Sequence, residues 1–314
     1  MLAPSRARRP RNPIVPGNPK DRTGSAGILR RAVADIRRRY AALLADVVAI
    51  FERIPIYGTN DAGAPAERTI YGLTAEEMAA VSLALREAVE RRLGPGASAS
   101  SSWWAGYDAE ASQAGAAQSV LNLTALSESY AAARDLQAVL FSQPYRNRVA
   151  MAQIRSYEHW TGLAAELRSE LSQIIGRAVV DGKNPRAVRT EIAERLDISR
   201  SRAALYAQTD ITGTLREARW AESDHARDEM GIRTGLLHTS AFLPTTRQSH
   251  AARHGKVYST TDVREWYAKD GNRYRCHCGQ TECLLDDEDA PILTDSLKGA
   301  MAKERQVWQK RHGS

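Results

Sequence analysis

From Gly27 onward the apolar residues Ile36, Tyr40, Leu43 or Leu44, Val47, Phe51 and Ile54 recur three or four apart, the period of one helix face. The spacing predicts a long amphipathic helix whose beginning is basic, with Arg30, Arg31, Arg37, Arg38 and Arg39. Thr74 followed by Glu77 has the capping-box spacing, so a helix is predicted to start there, run to Leu93 and stop at Gly94-Pro95-Gly96. A Ser/Ala-rich linker reaches Ser102, and the Ala-, Leu- and Gln-rich stretch from Trp103 to Phe141 reads as helical. Another helix is expected from Pro144 to about Val180, closed by Asp181-Gly182. Asn184 before Pro185 opens a short helix to Leu196, and Ser199 opens a further one that carries Ala203 to Glu229 and ends at Gly231. The first half is expected to be all-helical.

Beyond Gly231 the texture changes. Short β-like runs, Gly235 to Ser240 and Lys256 to Ser259, alternate with turn residues, and Cys276, Cys278 and Cys283 arrive together. An acidic cluster of Glu282, Asp286, Asp287, Glu288 and Asp289 leads into a last helix from about Thr294 to Arg311. The fold class expected is a mainly α N-terminal region with a small α+β C-terminal module. Its divisions are an extended basic arm over 1–26, a helical domain over 27–181, the module over 182–290, and a C-terminal helix and tail over 291–314. A module with its own strands and aromatics is expected to fold by itself.

Composition adds little to this until the charge is divided along the chain. The hydrophobic share of 43% and charged share of 26% are ordinary for a globular protein, so most of the 314 residues should fold. No apolar run reaches the length of a membrane span, and the N-terminus does not read as a secretory signal. The net charge of +7 is uneven: residues 1–40 hold eleven Arg or Lys against Asp21 and Asp35, while the rest holds 33 basic against 35 acidic residues. In the first 26 residues Arg6, Arg8, Arg9 and Arg11 are interspersed with Pro4, Pro10, Pro13, Pro16 and Pro19, a composition that builds no core. Together with Arg30, Arg31, Arg37, Arg38 and Arg39 they form the candidate contact for double-stranded DNA, drawn by counterion release. The alternative is a solvated tail.

The remaining chemistry lies in the C-terminal third. His250 and His254 have i, i+4 spacing, and Cys276 and Cys278 could present two sulfurs on one side of a strand, a set that suits tetrahedral zinc. Cys283 and His277 are spare candidates. Against zinc, its modules usually space cysteines two to four apart, and packed, reduced thiols need no cofactor. Arg247 and His250 are also residue types for phosphate chemistry. Yet no carboxylate pair stands beside them at clear spacing, and the chain shows no nucleotide or nucleophile motif. The structural alternative has Arg247 tying down a turn and His250 orienting the cysteine strand. Trp103, Trp104 and Tyr107 are residues that stack on bases, or that anchor a helix in a core.

Several of these pieces occur in an order that carries a resemblance. Asn184-Pro-Arg-Ala-Val-Arg-Thr-Glu-Ile-Ala-Glu-Arg-Leu196 is followed by Arg202-Ala-Ala-Leu-Tyr-Ala-Gln-Thr-Asp210, then Met230-Gly231, Leu236 to Ser240, Arg247-Gln-Ser-His250, Gly255-Lys-Val257 and Cys276-His-Cys278. This stretch resembles the Mu F and SPP1 gp7-like minor head (head morphogenesis) family of tailed bacteriophages. Gln208 and Asp210 stand where the family usually has Arg and Glu, and Ala241 to Thr246 lacks its customary acidic residue. Thr209, Asp210, Arg247, His250, Gly255, Cys276 and Cys278 are the matched positions. The resemblance implies a minor capsid protein of the virion interior, assembled in the bacterial cytoplasm and assisting head assembly, genome packaging or ejection. The implied partners are the portal, the major capsid or scaffolding protein and DNA, with no membrane. It implies a structural role rather than an enzyme; the rivals are a phage-borne nuclease or toxin using the Arg247, His250 and cysteine region, and a free DNA-binding accessory protein.

Overall fold

The computed structural model describes residues 11–60 and 68–312. Their elements are α1 (Ala26–Glu52), β1 (Ile56–Thr59), β2 (Thr69–Tyr71), α2 (Ala75–Leu93), α3 (Ala105–Leu126), α4 (Glu128–Ala133), α5 (Leu136–Leu140), α6 (Gln143–Asp181), α7 (Pro185–Asp228), β3 (Thr234–Thr239), α8 (Gln248–Ala252), β4 (Val257–Tyr258), α9 (Thr260–Ala268), β5 (Gly279–Leu284) and α10 (Asp295–His312). The fold is thus mainly α with a small α+β C-terminal module. Among the described residues no helix is long and apolar enough to cross a membrane.

The helix ends follow local chemistry. Thr74 accepts from the Glu77 amide while the Glu77 carboxylate accepts from the Thr74 amide, and α2 stops at Gly94. Gly182 and Gly231 adopt left-handed φ angles of 66° and 65°, the conformation that turns a chain out of a helix and that a side chain resists. Asn184 caps the next helix by accepting from the Arg186 amide at 2.9 Å.

Two predicted features are corrected. The chain does not break between Leu196 and Ala203: α7 runs unbroken for 44 residues. Its buried positions Val188, Ile192, Leu196, Ser199, Ala203 and Ala207 continue at three- or four-residue steps through Ser199, which hydrogen bonds Tyr40 of α1 at 2.8 Å. With no Gly or Pro in that interval, nothing local ends the helix. The first half is also not all-helical, since β1 and β2 form a two-stranded antiparallel ribbon. Runs of four and three residues are too short to display a two-residue period.

The chain gathers into two compact units, each built from separated segments. One comprises residues 29–106 and 150–208. Here α1 buries Ala32, Ile36, Tyr40, Leu43, Val47 and Phe51 along one face. Trp104 and Trp160 are buried with ring centroids 5.2 Å apart, and Trp103 lies edge-on to both.

The other unit comprises the described parts of 1–28, 107–149 and 209–314. Its antiparallel sheet has the order β4-β3-β5, and every residue of the central strand is buried. Alternation sends Leu236 into a cluster with Trp220, Val263, Tyr267, Cys276 and Cys278, while Leu237 joins Cys283, Leu293 and Met301. A third cluster unites Val120 and Leu123 of α3 with Tyr130, Val139, Tyr145 and Ala226. Residues 11–25 form neither helix nor strand but are fastened to this unit. The Ile14 amide donates to Asn122 at 2.7 Å, Asn12 donates to Thr294 at 2.8 Å and Arg22 pairs with Glu304 at 3.0 Å.

Glu282 on β5 is fully buried rather than part of an acidic surface cluster, whereas Asp287, Glu288 and Asp289 are exposed. It accepts from Arg219 of α7 at 2.8 Å and from Ser119 and Asn122 of α3 at 2.8 Å each. Burial pushes its carboxyl up, but the Arg219 charge and these hydrogen bonds outweigh burial and hold it below the usual range. A depressed folded pKa stabilises above the unfolded value, about 4.3, and that stabilisation is lost as pH falls through the folded value. Glu282→Gln should therefore cost about 3 kcal/mol at pH 7, because it strands the buried guanidinium. Denaturant melts at pH 7 and pH 3 check this: the gap between wild type and variant should narrow at the lower pH.

Candidate functional site

His250, Cys276 and Cys278 come together on the face of the sheet that carries Leu236. Arg247 sits at the N-cap position of α8 without capping it through its side chain. Its guanidinium instead donates to three carbonyls of the turn after α9: Gly271 at 2.9 Å, Asn272 at 3.0 Å and Tyr274 at 2.8 Å. That turn contains the left-handed residues Asp270, Gly271 and Arg275, so its carbonyls crowd together and need a planar donor with several N–H groups.

One helical turn on, His250 is buried and its Nδ1 lies 3.4 Å from the Cys276 sulfur and 3.7 Å from that of Cys278. The two cysteines are in the segment just before β5 rather than within the strand. Ser240 donates to the His250 carbonyl at 2.6 Å. Tyr267 stands 3.4 Å from the Cys276 sulfur and accepts from Gln280 at 2.9 Å.

Beneath the sulfurs lies Arg216 of α7, which is buried and has no ion pair among the described residues. It donates to the Cys276 carbonyl at 2.8 Å and to that of Cys278 at 2.7 Å, and stacks 4.6 Å above the Tyr267 ring. Burial raises the Cys276 thiol, but the Cys278 thiol, Arg216 and His250 outweigh it and pull Cys276 well below its ordinary range. Cys278 is held up by its hydrogen bond to Cys276 and by burial. The two thiols are thus pushed in opposite directions beside a buried cation.

His254, expected with this group, is placed elsewhere. Its Nδ1 accepts from the Ser240 amide at 2.9 Å, its Nε2 lies 3.3 Å from Glu304, and its ring packs on Phe242. Burial, with Arg22 and Arg305 nearby, lowers it to about 4, so it is neutral. Cys283 lies on the opposite face of the sheet, where burial and Glu282 push its thiol up to about 12. His277 is half-buried. Gly255, at φ 76°, donates to the His238 carbonyl at 2.9 Å, and a Cβ there would meet Met301 at 3.0 Å. Thr209 and Asp210 lie half-buried on α7, upstream of Arg216.

The basic residues divide. Arg6, Arg8 and Arg9 lie outside the described residues. Arg11 is exposed and donates to the Ala125 carbonyl at 3.0 Å. On α1, Arg30, Arg31, Arg37 and Arg38 are exposed, with Arg38 paired to Asp35 at 2.9 Å. Arg39 instead turns inward, 4.0 Å over the Trp103 ring and donating to the Arg92 carbonyl. Trp104 is buried and packs on Trp103 and Trp160 as a core anchor, while Trp103 is half-buried beneath Arg39. Tyr107 is half-buried on α3. Sequence reasoning missed Arg216, Arg219 and Glu222 and placed Glu282 in an acidic cluster; the 216, 219, 222 spacing marks one helix face but not whether it is inside.

Fold and site together define a helical protein bearing a small α+β module in which His250, Cys276 and Cys278 are buried and Arg247 lies at the surface. Residues 169–281 match the family model described as Phage Mu protein F like protein, so this part of the chain is similar to that family. The motif stretch from Gly182 to Cys278 falls inside that segment. No curated protein and no solved structure matches the chain.

Arg247→Lys should retain the charge but lose the three-carbonyl clamp, at a cost of about 1–2 kcal/mol given the exposure of the side chain. Amide exchange over 271–276 should accelerate more than exchange in β3; uniform acceleration across the module would point to a different role.

Proposed function

We propose that this protein is a minor capsid component of a tailed bacteriophage, associated with the portal or inner capsid, binding packaged DNA and assisting head assembly, genome packaging or ejection. The observation that carries the reading is the Mu F-like segment, 169–281. The geometry of its motif supports a structural part. His250, Cys276 and Cys278 are buried, and the Arg247 guanidinium is taken up by three backbone carbonyls. A nuclease or toxin working through these groups would need Arg247 to leave those carbonyls and a phosphate to reach the buried His250.

The exposed arginines support the DNA contact. Arg30 and Arg37 are seven residues apart on α1, as are Arg31 and Arg38, so the four lie along one solvent face about two helical turns long. A row of this kind, with Arg6, Arg8, Arg9 and Arg11 of the preceding arm, attracts a polyanion without reading its sequence. Locating the chain in particles by electron microscopy tests the capsid assignment directly; a chain absent from heads and portals would sink it.

For DNA, replacing Arg30, Arg31, Arg37 and Arg38 together by Gln should flatten the plot of log affinity against log salt by up to about 3–4 in slope, roughly one counterion per lost phosphate contact. Arg39→Gln should leave that slope unchanged and lower the melting temperature instead, because Arg39 packs on Trp103. Fluorescence anisotropy with a random-sequence duplex over a salt series measures both. An unchanged slope in the fourfold variant would remove α1 from the DNA contact.

A further inference from the structure

The cluster of His250, Cys276 and Cys278 has a geometry that packing alone does not require. A tetrahedral zinc ion has Zn–S distances of about 2.3 Å and Zn–N distances of about 2.0–2.1 Å, which sets each N···S edge at about 3.5 Å. The two edges from His250 Nδ1 are 3.4 and 3.7 Å. All three donor atoms lie within 4.8 Å of one another, and all three residues are buried. We propose that His250, Cys276 and Cys278 form a structural zinc site in which neither His254 nor Cys283 takes part.

The surroundings fit a thiolate-rich metal site. Zinc takes cysteine as thiolate, and Arg216 places a buried positive charge against the carbonyls of both cysteines, favouring that form. The backbone that carries the ligands is already held by hydrogen bonds. Ser240 fixes the backbone of His250, and Arg216 fixes that of the cysteines. The fourth position falls to an oxygen. Two hydroxyls flank the sulfurs, that of Tyr267 at 3.4 Å from Cys276 and that of Ser240 at 3.8 Å from Cys278. His250 also has a buried Nε2 with no hydrogen-bond partner, its ring standing edge-on to Trp266 at 4.5 Å. The bound ion would cross-link α8 to the segment leading into β5 and close the same loop that Arg247 clamps from its other end.

The test is made on the full chain, expressed with zinc in the medium, purified under reducing conditions and assayed by elemental analysis. About one zinc per chain is expected, with chelation lowering the melting temperature. Cobalt-substituted protein should show a thiolate-to-cobalt charge-transfer band and tetrahedral d–d absorption. Cys276→Ser and His250→Ala should lose the metal, whereas His254→Ala and Cys283→Ser should keep it. If the first pair does not fold, X-ray absorption at the zinc edge of the wild type still decides, with two sulfur and two nitrogen or oxygen neighbours expected. Protein that stays metal-free with zinc supplied, a shell holding three sulfurs, or loss of zinc on replacing His254 would overturn the assignment. Particle localisation and DNA affinity test the capsid reading separately, so either proposal can fail alone.

Discussion

A charged helix face lies inside the protein, and the C-terminal module is arranged around the need to satisfy it. Within eight residues of α7, Arg216, Arg219, Glu222 and Ser223 are all buried. An unpaired charge in that position would cost several kcal/mol, so each must meet a partner delivered by some other part of the chain. Arg216 meets the carbonyls around the cysteines, Arg219 meets Glu282, Glu222 meets Tyr130 and Arg134, and Ser223 meets Thr234. These partners come from the pre-β5 segment, β5, α4 with its C-cap, and β3. Sliding β5 by one residue would turn Glu282 away from Arg219 and carry Cys283 to the wrong face. Apolar packing tolerates such slips better than a directional network does. The ion pair therefore specifies the register, and hence where the cysteines sit.

With the register set, the motif residues work as one fastening. Arg247 and His250 project from the beginning of α8 to the two ends of a single turn. One gathers the carbonyls of Gly271, Asn272 and Tyr274; the other reaches the sulfurs of Cys276 and Cys278. The spacing of Arg-x-x-His is explained by the helix, since three residues bring both side chains to one side. The Cys-x-Cys spacing brings both sulfurs to the same His250 nitrogen, while His277 between them is half-buried. A short loop held at both ends gives a small module rigidity that its limited core does not supply.

Arginine shows how little residue type alone conveys. Arg37 and Arg38 are exposed on α1, while Arg39, the next residue, lies over Trp103. Arg22 comes from the same basic end of the chain, yet it is buried against Glu304. The local excess of positive charge is real, but only the outward share is available to a polyanion. Guanidinium suits both uses, because it is weakly hydrated and its planar donors and faces match carbonyls and aromatic rings as well as phosphate.

The sequence by itself determined what is decided within a few residues. Thr74 and Glu77 cap one another across a single turn, Gly182 and Gly231 stop helices through their own backbone freedom, and Asn184 starts the next helix. The ordered motifs also identified the Mu F-like segment, because short signatures in fixed order survive in the linear text. Tertiary structure alone decided the rest. Whether α7 would break at Ser199 depended on Tyr40, 159 residues away. Whether Glu282 belonged with Asp287 or in the core depended on Arg219, Ser119 and Asn122. Which histidine would meet the cysteines depended on the fold bringing His250, and not His254, to their side of the sheet. In each case a polar side chain has two low-energy destinations, water or a buried partner. The choice is fixed by a residue distant in the chain, which local pattern does not register.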